Sequence, residues 1–226
     1  MSTMRMHMRS VVTCLVLVFA LLSRQALAQD PPPPIPWVVV DVHGSFPRFP
    51  SDNPELAASR GMDIAELPGA GLGAQLGLHL YPLHTRIVTI GLGGEVAIGH
   101  ASKTPLPGAV SATSGKELLQ SEEHLTSLSP QLSLNFGNGS GWSYLSAGLG
   151  VSTLSLSTEE VVDFPPNSDR LKTFNYGGGA RWFVKPHLAF SFDVRFYSIS
   201  PGFAYIYSTA PPHTKLLIIA AGISLK

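Results

Sequence analysis

Long stretches of this chain alternate apolar residues with polar or small ones, which limits the folds open to it. Every second residue is apolar from Leu72 to Leu80, from Leu188 to Phe196 and from Leu217 to Leu225. Side chains of a β-strand point alternately to the two faces of a sheet, so this period of two predicts strands with one apolar face. After residue 28 no run of 18 apolar residues occurs, which excludes a membrane-spanning helix.

The same alternation predicts eight strands. Their expected ranges are 37–45, 70–81, 85–100, 126–137, 142–157, 171–184, 188–200 and 214–226. The alternation slips once, within 152–154, which a bulge or the rim of a barrel would explain. Two of the intervening segments predict short helices: one is capped by Asn53 with Pro54 at its first position, and the other begins with a capping box at 114–117.

The connections between the predicted strands alternate in length. The short ones are 81–85, 137–141 and 185–187, and the long ones are 46–69, 101–125, 158–170 and 201–213. Transmembrane barrels show this asymmetry, with short periplasmic turns and long extracellular loops. A sheet that spans lipid must also close, because every backbone group needs a partner. The sequence therefore predicts an all-β fold: an eight-stranded antiparallel up-and-down transmembrane β-barrel.

The N-terminus has the features of a secretory signal. Arg5 and Arg9 precede an apolar run at 11–22, and the small residues of a cleavage site follow at 26–28. The run is shorter than the roughly 20 residues of a transmembrane helix. We expect residues 1–28 to be a signal peptide, 29–36 a Pro-rich leader and 37–226 an outer-membrane β-barrel of a Gram-negative cell.

Charge and cysteine content narrow the classes of function. Only 13% of the residues are charged, whereas ordinary soluble domains carry roughly 25%. Loss of Arg5, Arg9 and Arg24 with the signal leaves 12 basic residues against 15 acidic ones, so no basic excess favours nucleic acid as a partner. The single cysteine, Cys14, leaves with the signal too, so we expect no disulfide.

Five charged residues share the inward phase of their predicted strands. They are Asp41, Glu95, Arg181, Asp193 and Arg195. Nine glycines share it as well: Gly71, Gly73, Gly77, Gly91, Gly93, Gly148, Gly150, Gly177 and Gly179. Eight strands leave a lumen just wide enough for side chains, and unpaired charges there are costly. We expect a structural ion-pair cluster that fixes the register and blocks conduction, and a gate or ion path is the alternative.

Aromatic residues lie near the predicted strand ends, as in the interface belts of membrane proteins. Those near the short turns are Tyr81, Phe136, Trp142, Tyr144 and Trp182. Those near the long loops are Phe174, Tyr176, Tyr197, Phe203, Tyr205 and Tyr207. We expect two aromatic belts at these levels.

The segment 175–197 resembles a known family. A Gly-rich strand with an aromatic end meets the tight turn 185–187, and the next strand ends in Asp193-x-Arg195-aromatic. This pattern resembles the sixth and seventh strands of the OmpA-like outer-membrane β-barrel family, and over the rest of 37–226 the resemblance is topological. It implies a monomeric barrel that lies in outer-membrane lipid and lipopolysaccharide and is inserted by the barrel assembly machinery.

The chain departs from that family at its C-terminus. Such barrels often end in an aromatic residue that the assembly machinery reads, whereas this chain ends in Leu225-Lys226. The predicted strands also continue to Lys226, so we expect no periplasmic domain and no anchoring to peptidoglycan.

One segment is a candidate catalytic site. Some small outer-membrane barrels are lipid A esterases with an outward His and Ser near the outer rim, and here His100 and Ser102 continue the outward phase of the third strand. Glu122 or Glu123 is the candidate carboxylate. The surrounding residues do not match that motif, so polar residues entering a loop are the expected explanation.

The histidines do not predict a metal site. His43 and His79 are inward but lie on different strands, and no set of His, Asp and Glu has metal-ligand spacing in the sequence. We expect no catalytic residues, no cofactor and no metal. The expected function is a non-enzymatic outer-membrane barrel with a structural or surface-loop binding role; a narrow pore for small solutes is the alternative, and a lipid A-modifying enzyme is the third.

Overall fold

Eight strands form where the alternation predicts them. A computed structural model describes residues 32–112, 114–158, 170–202 and 210–226. The strands are β1 (Val38–Arg48), β2 (Leu72–His84), β3 (Thr89–Lys103), β4 (Ser121–Asn138), β5 (Gly141–Thr158), β6 (Leu171–Lys185), β7 (Leu188–Ile199) and β8 (Thr214–Leu225). Each strand pairs antiparallel with the next, and β1 pairs with β8 to close the barrel. The predicted eight-stranded antiparallel barrel is confirmed, whereas the predicted signal peptide lies outside the described residues.

The two predicted loop helices have different outcomes. The first is α1 (Pro54–Ser59), where the Asn53 side chain accepts a hydrogen bond from the Leu56 N–H. The second is wrong, because 114–120 holds no helix and Glu117 forms a β-bridge with Val110. Gly115 has a φ of +67°, which a right-handed helix cannot contain. Among the described residues, no helix has the length and apolar character needed to cross a membrane.

The capping box predicted for 114–117 occurs instead in the loop between β1 and β2. Asp63 caps a short 3-10 helix, Ile64–Glu66, by accepting from the Ala65 N–H, and the Glu66 carboxylate accepts from the Asp63 N–H. The sequence did not indicate this capping box, because its Asp-x-x-Glu spacing is not followed by an extended apolar segment.

The phase slip in β5 comes from the rim of the barrel and not from a bulge. The ladder between β4 and β5 runs in one register from the pair Asn138–Gly141 to the pair Ser121–Thr158. Leu154 keeps the inward phase and is buried with other apolar residues at the long-loop end of the lumen. An apolar inward residue therefore interrupts the expected polarity while the backbone stays regular.

The outward faces of the strands form one apolar band. In β1 it runs from Val38 to Phe46 and in β4 from Leu128 to Phe136, and its leucine, valine and phenylalanine side chains are largely exposed. A strand that crosses a hydrocarbon layer needs about 9–11 residues, which is the length of these stretches. Toward the long loops the band ends at polar outward residues: Arg48, His100, Thr126, Thr153, Lys172, Ser198 and Lys215.

Candidate functional site

Three layers of side chains fill the lumen. At the short-turn end lies a mostly aromatic cluster: Ile35, Val39, Tyr81, Trp142 and Tyr144, with Phe183 packed against it. At the long-loop end lies a second apolar cluster: Phe49, Ala97, Ala101, Leu125, Leu154, Tyr197, Ile199, Leu216 and Ile218. Five buried charged residues lie between these two layers: Asp41, Glu95, Arg181, Asp193 and Arg195. The lumen therefore has an apolar cluster near each end, with polar inward residues such as Asn135 and Ser127 beside these clusters, and five charged residues in the middle.

This layering corrects the prediction of aromatic belts. Tyr81, Trp142, Tyr144 and Tyr197 are buried in the lumen, because they have the inward phase of their strands. The outward aromatic residues from the predicted belts are Phe136, Phe174, Tyr176 and Trp182. Phe203, Tyr205 and Tyr207 lie outside the described residues. Proximity to a strand end is not sufficient to place a side chain at the interface, since its phase decides which face it occupies.

Inward glycines make room for the bulky lumen side chains. A Cβ atom on Gly91 would lie 2.8 Å from ring carbons of Tyr81, and one on Gly179 would lie 2.6 Å from the Tyr144 hydroxyl. The narrow lumen of an eight-stranded barrel is therefore crowded, as predicted, because the backbone of these glycines lies directly against the aromatic layer.

The five predicted charged residues are all buried in the lumen, and they form two groups. Asp41 and Arg181 belong to one group, and Glu95, Asp193 and Arg195 belong to the other. Arg181 and Arg195 are each about 1% exposed. The structure thus brings every predicted residue into the middle layer, divided between two ion-pair networks.

The first network centres on Asp41. The Arg181 guanidinium binds this carboxylate through two parallel hydrogen bonds, of which Nε to Oδ1 measures 3.0 Å. His79 Nε2 lies 3.1 Å from Asp41 Oδ2, and the Ser224 hydroxyl donates to Asp41 Oδ1. Paired geometry of this kind is what offsets the desolvation of two buried charges. Because these residues lie in β1, β2, β6 and β8, the network ties the barrel across its closure.

The second network centres on Arg195. Its Nη2 donates to Asp193 Oδ2 at 3.0 Å, and its Nε lies 3.6 Å from Glu95 Oε2. Asn175 Oδ1 accepts from Nη1 at 3.1 Å, Ser146 Oγ accepts from Nη2 at 3.0 Å, and Nε also donates to Asp193 Oδ1 at 3.2 Å. Every nitrogen of this guanidinium therefore has a partner within the protein.

Tyrosines and histidines complete the middle layer. The Tyr144 hydroxyl donates to Asp193 at 2.7 Å while its ring lies 4.3 Å from the Arg181 guanidinium carbon, so Tyr144 joins the two networks. Tyr197 donates to Glu95 at 2.6 Å. His43 pairs with Ser191 at 2.6 Å. Sequence reasoning did not assign the tyrosines to this layer, although their inward phase was a usable signal.

Residues 50–68, which include α1 and the 3-10 helix, form a cap over the long-loop end of the lumen. Leu56 of α1 is fully buried, and Arg60 Nη1 lies 2.9 Å from the inward carboxylate of Glu123. Leu56 and Arg60 line a narrow crevice together with Leu154 and Ile199. Since Glu123 faces the lumen while Ser102 faces outward, Glu123 is excluded as the carboxylate of the candidate catalytic site.

The cap is fastened to the loop between β3 and β4. Glu66 accepts from the Leu119 N–H at 2.7 Å, and its backbone carbonyl accepts from the Ser121 hydroxyl. The Ser111 hydroxyl donates to Asp63, and this bond together with the Ala65 N–H lowers the pKa of Asp63 below its usual value. The long loops 49–71 and 104–120 thus form one connected surface.

The outer rim of the barrel contains the candidate catalytic residues His100, Ser102 and Glu122. Ser102 is the cross-strand neighbour of Glu122, and His100 is the neighbour of His124. In this part of the described chain no hydrogen bond joins Ser102 to His100, although a nucleophilic serine requires a base at that distance. His100 contacts His124 instead, with the two Nδ1 atoms 3.3 Å apart. Sequence spacing predicted no metal site, yet His100, His124 and Glu122 lie within metal-ligand reach of one another.

Comparison with known proteins supports the fold. No protein-family model matches the chain, and no curated protein matches it in sequence. Neisserial surface protein A (NspA) superposes with a TM-score of 0.50 at 13% identity, covering 84% of this chain and 97% of that one. Ail of Yersinia pestis gives 0.49 at 13% over 83% and 96%, and outer membrane protein OprG of Pseudomonas aeruginosa gives 0.46 at 12% over 87% and 98%. The chain therefore shares the small closed barrel fold of the Neisserial surface protein.

Proposed function

We propose that this chain is a non-enzymatic, non-conducting outer-membrane β-barrel whose long loops form a structural or binding surface outside the cell. The observation that carries the proposal is the occupied lumen, with apolar layers at both ends and paired charges between them. A water-filled path would have to pass both apolar clusters, which supports a lumen that is closed to solutes.

Three features support a location in the outer membrane. The outward band is apolar over the length of a membrane-crossing strand. An apolar surface of this extent is an aggregation site in water but is satisfied by lipid. The short and long connections sort to opposite ends of the barrel, and the N-terminus has the residues of a secretory signal. Outer-membrane lipid and lipopolysaccharide are the proposed surroundings, and a monomer is the proposed state.

Kinship with the OmpA-like family, and insertion by the barrel assembly machinery, are further parts of the proposal. The resembling segment 175–197 supplies Arg181, Asp193 and Arg195 to the middle layer. Lys226 donates from Nζ to the Gly139 carbonyl at 2.6 Å and lies 3.9 Å from the Phe183 ring centroid. These contacts fasten β8 to the β4–β5 turn and to β6.

Planar-bilayer recording tests the closed lumen. The folded protein is expected to give no stable single-channel steps, and neither is a variant in which a short Gly-Ser linker replaces residues 50–68, because both apolar layers below the cap remain. Steps in the intact protein would support the narrow pore instead. Steps in the cap deletion alone would show that the cap is the sole barrier and would contradict the layered closure.

The surface role is tested on intact cells. The Glu66 carboxylate accepts from Leu119 of one loop and Asp63 of the other, so Glu66→Gln, which removes one of the two carboxylate acceptors, is expected to weaken whatever adhesion or ligand capture depends on the joined surface. Glu55→Gln, an exposed acid in the same loop, is the matched control. Some of these assays will distinguish cells that lack the protein from cells that make it. Equal activity of the two variants in all of those assays would contradict a joined loop surface.

The enzyme alternative has its own test at the outer rim. Lipid A acylation in cells that express the chain is expected to be unchanged, and Ser102→Ala is expected to have the same lipid A profile. A deacylated lipid A that appears with the parent chain and disappears with Ser102→Ala would overturn the non-enzymatic proposal.

A further inference from the structure

A cluster of imidazole and carboxylate groups lies on the outer face of the barrel, at the long-loop edge of the apolar band. His100 in β3 and His124 in β4 are direct cross-strand partners, and both side chains point outward. Their ring centroids lie 4.5 Å apart. Glu122 precedes His124 by two residues and therefore shares its face, with Oε2 3.9 Å from His124 Nε2. One ligand atom from each of the three residues lies within 4.8 Å of the other two.

The spacing of the two imidazoles fits coordination to one ion. Two nitrogens bound at about 2.05 Å in a tetrahedral site lie about 3.3 Å apart. The Nδ1 atoms of His100 and His124 are 3.3 Å apart. A hydrogen bond between the two rings also produces this distance, and the metal titration below distinguishes the two arrangements. A divalent ion uses all three groups and neutralises the carboxylate.

We propose that His100, Glu122 and His124 bind a divalent transition-metal ion, with Zn²⁺ as the representative ion. Two imidazoles and one carboxylate are donors that Zn²⁺, Ni²⁺ and Cu²⁺ prefer, whereas Mg²⁺ and Ca²⁺ prefer sites made of oxygen atoms. Three protein ligands leave one tetrahedral position open, which water occupies.

The surroundings permit an exposed metal site. The side chains of His124 and Glu122 are 52% and 43% exposed, so an ion has direct access. The next outward residues toward the short turns are Ile98 in β3 and Thr126 followed by Leu128 in β4, so the cluster lies just beyond the apolar band. Because the His100–His124 pair sits in a regular ladder between two long strands, the backbone holds the ligands in place before the ion binds.

Zinc titration of the untagged protein in detergent micelles tests the proposal. Metal is first removed with a chelator, and binding is then measured in competition with a chromophoric zinc indicator. We expect one Zn²⁺ per chain, and we expect His100→Ala, His124→Ala and Glu122→Gln each to raise the Kd by about tenfold or more, at least the effect of losing an outer-shell partner. His187→Ala, at the opposite end of the barrel, is the matched control and should bind as the parent does. Millimolar Mg²⁺ should not displace the zinc.

A second measurement uses the parent chain alone, so it does not depend on any variant folding. Co²⁺ bound in this site should show visible absorption of four-coordinate geometry, which Zn²⁺ abolishes. Gel migration with and without heating checks that each variant is folded. Parent binding no tighter than that of the His100→Ala/His124→Ala double variant would overturn the proposal. So would equal loss of binding in His187→Ala, or displacement of the ion by Mg²⁺.

Discussion

Replacing Asp41 by Asn is the sharpest test of the charged layer. Arg181 is about 1% exposed and Asp41 about 3%, and both guanidinium–carboxylate hydrogen bonds lie inside the barrel. Asn keeps the shape and one acceptor but removes the negative charge, so the arginine charge stays buried without compensation. Breaking a buried pair by removing one partner costs about 3–5 kcal/mol, and we expect the free energy of unfolding to fall by that amount.

A double-mutant cycle separates the pair from its surroundings. Arg181→Met alone leaves the Asp41 carboxylate with only His79 and Ser224, so it should destabilise as well. The double variant Asp41→Asn/Arg181→Met contains no uncompensated charge, so its loss should be smaller than the sum of the single losses by about 1–3 kcal/mol. The assay is reversible urea unfolding in lipid vesicles, followed by tryptophan fluorescence and by the migration of unheated samples on gels.

Asp52→Asn is the control for this cycle, since it makes the same chemical change at an exposed loop residue and should shift stability by less than about 0.5 kcal/mol. An equal change in stability for Asp41→Asn and Asp52→Asn would show that the buried charge of Asp41 does not stabilise the barrel. Strict additivity of the two lumen substitutions would contradict the ion pair, because it would mean that the two groups do not interact.

Three further predictions concern the glycines, the band and the cap. Gly179→Ala places a Cβ against the Phe192 carbonyl oxygen and the Tyr144 hydroxyl, so it should cost about 1–3 kcal/mol or reduce the folded yield. Outward Gly94→Ala, with its nearest contact at 3.9 Å, should be tolerated. Equal effects of the two substitutions in the refolding assay would contradict the crowded lumen. Leu132→Arg in the middle of the band should cost about 2–4 kcal/mol in lipid vesicles and Thr126→Arg at its edge about 0–1, and a reversed order would contradict the membrane placement. Because the pKa of Asp63 is lower in the folded protein, its carboxylate stabilises the cap above the unfolded pKa of about 3.9, and this contribution is lost as the pH falls through the folded pKa. Asp63→Asn should therefore speed proteolysis of the cap at pH 7. The difference in proteolysis rate between this variant and the parent should shrink below pH 4.

Much of the fold follows from local pattern. Alternation with a period of two, interrupted by short and long connections, is a property of neighbouring residues, so the number of strands and the phase of each side chain could be predicted. The inward placement of Asp41, Glu95 and Arg181 follows from that phase alone. The same local rule places Tyr81 and Trp142 in the lumen, because both have the inward phase of their strands. The predicted aromatic belts are wrong for these two residues, because that prediction used only their position near strand ends.

Local pattern predicted less at the ends of strands and in loops. The ladder between β3 and β4 extends to the pair Lys103–Ser121, beyond the predicted strand ends. Continued pairing satisfies the backbone hydrogen-bonding groups, and the polar side chains in this region do not prevent it. The predicted helix at 114–117 fails because Gly115 adopts a left-handed conformation, which residue identity permits but does not require.

The face that each residue occupies follows from the sequence alone, since the pleat of a strand makes it a local property. The pairs of residues that meet across the barrel depend on the tertiary structure. Arg181 reaches Asp41 from β6 to β1, Arg60 of the first long loop reaches Glu123 in β4, and His100 meets His124 across a ladder. Those encounters depend on strand register and on the stagger with which the sheet closes, and both are set by all eight strands together.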